Sequence, residues 1–116
     1  MSSISKMNIP GDNKMEKYLF VYFGGKMAST PTELKSSMDV WMNWFKSQGK
    51  AVVDTGNPTT PGKLINRKGV KALSGKIVTG YSIFQADGLE AAIAIAKTSP
   101  QLEGGEIAVY PVMATM

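Results

Sequence analysis

Six apolar or aromatic residues stand in a row, Tyr18-Leu19-Phe20-Val21-Tyr22-Phe23, and Gly24-Gly25 closes the run. A run of that length between turn signals reads as a strand rather than a helix. It lacks clean alternation, so both of its faces need cover. Helices can cover one face of a sheet. The other face needs something else, and few folds of this size meet that requirement.

The rest of the chain supplies the helices. Thr30-Pro31-Thr32-Glu33 is a helix start: Thr30 caps, Pro31 suits the first turn, and Glu33 can return the bond. Leu34, Met38, Trp41, Met42 and Phe45 then recur at helical spacing up to Gly49, which predicts a helix over about 31–48 with that stripe packed inward. Ala51 to Asp54 reads as a second strand, turned out by Thr55-Gly56-Asn57-Pro58. Ile77 to Phe84 reads as a third, with Gly80 marking a bulge or a close backbone approach. Asp87-Gly88-Leu89-Glu90 opens a second helix, whose inner face is Leu89, Ala92, Ile93 and Ala96; Ser99-Pro100 ends it. Glu106 to Val112 is the last strand.

The order β-α-β-β-α-β is the ferredoxin-like arrangement of an α+β protein: a four-stranded, mainly antiparallel sheet with both helices on one face. The first and third strands are expected at its centre. The bare face then wants a partner, most simply a second copy of the chain. A length of 116 residues suits one domain, here 16–116, behind a polar, weakly ordered leader at 1–15. No window approaches the ~18 apolar residues of a membrane span, and the N-terminus has no signal-peptide pattern, so a cytoplasmic location away from membranes is expected.

Composition narrows the chemistry. With no cysteine and no histidine, the chain has no disulfide framework, no thiolate or imidazole metal site, and no histidine base. No metal and no cofactor is implied. The net charge of +4 is only mildly basic.

The chain resembles the YCII-related family of the dimeric α+β barrel superfamily over about residues 17–113. The resemblance is carried by Lys17-Tyr18-Leu19-Phe20, Trp41 and Trp44, Gly56-Asn57-Pro58 and Gly80-Tyr81-Ser82-Ile83. It continues through the run Ala91 to Lys97, Ser99-Pro100, and Gly104 to Val112. It implies the ferredoxin-like fold and a homodimer that pairs sheet faces around an enclosed space. Two family features are missing. Lys68-Gly69-Val70-Lys71 stands where many relatives carry Asp-Gly-Pro-Phe, and the His-Asp pair proposed as catalytic in some relatives has no histidine here.

Several residues are candidates for a site. Asp54 ends an apolar strand, where burial would raise its pKa and make it a base; the alternative is an Asx bond to the backbone of the following turn. Trp41 and Trp44 sit about 60° apart around their helix, so one belongs to the core while the other edges a pocket or an interface. Tyr18 and Tyr22 share a strand face. With Tyr81, Tyr110 and Asn57 they form a candidate pocket set, if the shared face is the bare one, with interface packing as the alternative. Lys63, Arg67, Lys68, Lys71 and Lys76 form an acid-free stretch. No aromatic residue interleaves it, so it reads as a solvated, mobile loop with a short extended piece at Leu64-Ile65 rather than a nucleic-acid site. Two functions stay open: a small-molecule binder using a barrel cavity, with Asp54 as the acid/base group if it turns substrate over, or a non-enzymatic dimerisation module.

Overall fold

The computed structural model describes residues 15–26 and 28–114. Apart from Met15, the leader expected at 1–15 lies outside them. Its elements are β1 (Glu16–Gly24), α1 (Pro31–Gln48), β2 (Val52–Asp54), β3 (Lys63–Asn66), β4 (Gly69–Ala72), β5 (Val78–Ala86), α2 (Leu89–Ala96) and β6 (Gly105–Pro111). Four strands form one sheet in the order β2-β5-β1-β6, and every pairing is antiparallel. The protein is therefore α+β, with the two most apolar strands in the middle, and is compatible with the ferredoxin-like arrangement.

The two-residue strand period sorts the sheet into two faces. Tyr18, Phe20 and Tyr22 of β1 are buried, as are Ser82, Phe84 and Ala86 of β5. These residues share one face in register, where they meet Trp44 of α1 and Ala92 and Ala96 of α2. Phe20 stacks on Phe84 at 4.5 Å, and Trp44 reaches Phe84 at 5.3 Å. The Trp44 indole N–H also donates to Thr98 Oγ1 at 2.8 Å, which ties α1 to the end of α2. Leu19, Val21 and Phe23 face the other way, in register with Ile83 and Tyr110, Tyr81 and Ala108, and Glu106. This second face is apolar and carries no element of the chain among the described residues.

Several local expectations are corrected. Thr30 caps α1 through Oγ1, which accepts the Glu33 N–H at 3.1 Å, but the Glu33 carboxylate turns to the N–H and hydroxyl of Ser29 instead of Thr30. At α2 the cap is Gly88, not Asp87, and no side chain bonds there. The stripe of α1 is core only in part: Trp41 and Phe45 pack half-buried against the core, Leu34, Met38 and Met42 are each more than half exposed, and Trp44 is the buried residue of this helix. The extended piece at Leu64-Ile65 is present as β3, but the stretch 63–76 is more ordered than a loop around it. It contains a β3–β4 hairpin paired from Lys63↔Ala72 to Asn66↔Gly69, with its Ile65–Val70 pair open to water. That arm holds four of the thirteen cations and no acid, and the remaining nine cations match the nine acids. The whole net charge therefore resides on the arm.

Candidate functional site

Between α1 and the sheet lies a cleft of about 460 Å³. Its origin is the loose fit of α1. Trp44 is buried in the core and bonded to Thr98, and Trp41 and Phe45 pack partly buried against it, while Leu34, Met38 and Met42 stay more than half exposed along the cleft. Volumes of this size are typical of small-molecule sites, which pair apolar walls with a few placed polar groups.

The floor is built at a crossing of backbones. After β2, the turn runs alongside β5: Tyr81 N–H donates to Asn57 O, Thr59 N–H to Thr79 O, and Pro58 bridges to Gly80. Gly56 makes this possible. Its φ is +73°, and a Cβ there would overlap the Tyr81 carbonyl. Gly80 proves to be both a close approach and the neighbour of a bulge. A Cβ would stand 3.2 Å from Asn57 O, and the β1–β5 register shifts beside it, between Tyr22 and Phe23. On the other side, the buried Gln101 amide donates to Phe23 O at 2.9 Å and Gly24 O at 3.0 Å, which pins the exit of β1 beneath the cleft. Nothing in the sequence pattern distinguished Gln101. Gly104-Gly105 was the available hint, because a Cβ at Gly105 would collide with that amide.

Tyr22 supplies one polar group of the lining, which also holds Ser37, Thr55, Asn57 and Thr79. Its hydroxyl donates to Ser82 Oγ at 2.8 Å, and Ser82 donates to Thr55 O at 2.7 Å. Burial pushes the Tyr22 phenol up to about 12, against a smaller opposing effect of the Ser82 bond, so the ring stays neutral at ordinary pH. Tyr18 is also raised, first by burial and then by its bond to Glu16.

Of the candidate residues, Tyr22, Trp41, Asn57 and Tyr81 line the cleft together. Trp41 meets the Tyr22 ring edge-on at 5.2 Å; the Tyr81 side chain leaves β5 on the open face, in register with Val21, and its hydroxyl lies 3.5 Å from Asn57 Nδ2. Tyr18 and Trp44 belong to the core, and Tyr110 is half exposed on the open face. Tyr18 and Tyr22 thus do share a face, but it is the helix-covered one. Asp54 is exposed, and its Oδ1 accepts the Gly56 N–H at 2.8 Å. This is the Asx alternative. The burial that the base reading of Asp54 supposed is not met. Among the described residues, no three His, Cys, Asp or Glu side chains gather as a metal set, and no helix is long and apolar enough to cross a membrane.

No protein-family model matches the chain, and no curated protein matches it significantly.

Proposed function

We propose that the chain binds a small, largely apolar molecule in the cleft between α1 and the sheet, as a homodimer paired through the open sheet face. The observation that carries this reading is the uncovered stripe of α1 above a buried tyrosine hydroxyl. An apolar helix face left over a cavity is costly in water, and a ligand that fills it removes that cost. The dimer is supported by the open face, where Leu19, Val21, Ile83 and Ala108 lie side by side. Both features accord with the YCII-related proteins of the dimeric α+β barrel superfamily, which the sequence resembles. The site offers binding and orientation. Asp54 is engaged by its turn, so we assign it no acid/base role.

A thermal-shift screen of small organic compounds, run with sedimentation analysis, tests the reading. The expected result is a dimer at micromolar concentration whose melting temperature rises with at least one compound class, with the rise lost in Trp41→Ala. A monomer that no compound stabilises would overturn it.

A second reading, an interaction module without a ligand, is favoured by one observation: the exposed Ile65–Val70 pair of the arm. An isolated two-stranded hairpin is marginal in water, and cover from another chain would steady it. Ile65→Asp with Val70→Asp separates the two readings. Loss of the dimer with ligand binding intact would place the arm in the interface and leave the cleft its own role.

A further inference from the structure

The polarity of the cleft defines the class of molecule that fits it, an inference that rests on the proposed binding function. Its first element is a hydrogen-bond chain with only one possible direction. The Thr55 carbonyl can only accept, so Ser82 donates its single proton there, and Tyr22 must donate its own to Ser82. The Tyr22 oxygen therefore has lone pairs and no proton to offer. With its pKa near 12 it does not become an anion, and whatever meets it must bring an N–H or O–H.

The second element lies on the opposite side of β1. The Tyr22 hydroxyl is directed toward Ser82 on β5 and the turn after β2. Lys26 lies past the end of β1 beside Gly104, on the β6 side. Lys26 is the only charged residue in the lining of the cleft. No described carboxylate stands within ion-pair distance of it. Glu33 feels its charge from outside that lining, with its own carboxylate held by Ser29 and lowered in pKa chiefly by the Ser29 backbone bond. Between the two ends the wall is aromatic and thioether, with Trp41, Phe45, Met38 and Met42 suited to the face and edge of a planar ring.

We infer that the cleft takes a small aromatic monocarboxylate carrying a hydroxyl or N–H at the end away from its carboxylate, with the carboxylate at Lys26, the ring along Trp41, and the donor on the Tyr22 oxygen.

Calorimetric titration of the full chain with matched sets of phenyl and naphthyl compounds tests this. Each set contains the hydroxyaryl acetate, its primary amide, and the aryl acetate without the hydroxyl. The hydroxyaryl acetate is expected to bind best. The amide should lose about fivefold, as for one partly exposed ion pair, and the des-hydroxy acid a similar factor for one hydrogen bond. Lys26→Gln should remove the preference for acid over amide and keep the preference for hydroxyl. Tyr22→Phe should do the reverse, with its melting curve confirming the fold. Glu33→Gln should tighten the acids alone. Equal binding of all three members overturns the inference and leaves the binding site standing. No binding of any member, by a chain whose thermal-shift screen is also silent, overturns the site itself.

Discussion

Tyr22 belongs at once to the buried core and to the lining of the proposed site. Its phenol is raised from 10 to about 12 by burial, so only the neutral form fits the folded protein. Below pH 10 the ring is protonated in both folded and unfolded chains and contributes no pH dependence. Between pH 10 and 12 the unfolded chain loses the proton first, so stability falls as pH rises, by roughly 2–3 kcal/mol across the window. Urea unfolding at pH 9 and pH 11.5 should show most of that loss, and Tyr22→Phe should remove the larger part of it, leaving the share of Tyr18, which burial also raises, while costing about 1 kcal/mol at neutral pH from the missing Ser82 bond. Gly56 is the second decisive residue. A methyl group there meets the Tyr81 carbonyl at a φ of +73°, so Gly56→Ala should destabilise by about 3 kcal/mol and dislodge the turn that forms the floor. The same change at Gly62, where a Cβ meets nothing within 4 Å, is the control and should be close to neutral.

At the scale of elements, α1 is a long helix held by little burial, with Trp44 its one fully buried side chain. Its start depends on Thr30 Oγ1 and on the Glu33–Ser29 bonds, and its far end on Trp44 and Thr98. Thr30→Ala should cost about 1 kcal/mol in thermal unfolding. Thr98→Val should loosen α1 over the cleft, seen as faster amide hydrogen exchange along α1 than along β1 or β5. The β3–β4 arm is a separate element in energetic terms. Its strands pair with each other, and Ile65 and Val70 are 71% and 65% exposed. Substituting both with aspartate should change the unfolding free energy of a single chain by no more than about 0.5 kcal/mol, because neither side chain is buried in it.

For the whole molecule, the open sheet face sets the expected assembly. Val21→Asp places a charge at the middle of that face, opposite Tyr81 and Ala108. The helix-side core does not involve that side chain, so the variant should fold. It should sediment as a monomer under conditions where the parent is a dimer, since an unpaired carboxylate cannot be buried between two apolar sheets. A variant that keeps the parental sedimentation coefficient would place the interface elsewhere. The charge distribution belongs to this scale too. The body is electrically balanced and the arm carries the entire +4, so long-range attraction of anions is directed at the arm rather than the cleft.

Local patterning determined much of the fold. The apolar run 18–23, the Thr30-Pro31 start, the stop at Gly49 and the turn after Asp54 place the main elements within a few residues of where they lie, because strand and helix periods and cap chemistry act over short stretches of chain. The site was legible only in part. Tyr22, Trp41, Asn57 and Tyr81 were named from the sequence, but which sheet face each tyrosine takes depends on strand register, and register is settled by contacts between distant segments. Spacing alone sent the Leu34–Met38–Met42 stripe into the core. Only packing showed that Trp44 occupies that place first, leaving the stripe above a cavity. Gln101 and the one-way bond from Tyr22 through Ser82 to Thr55 join residues 77 and 60 positions apart, and no local period encodes such a meeting. The sequence by itself determined the elements and their order; tertiary packing decided what they enclose, because a cavity is made by groups that meet only after the chain has closed.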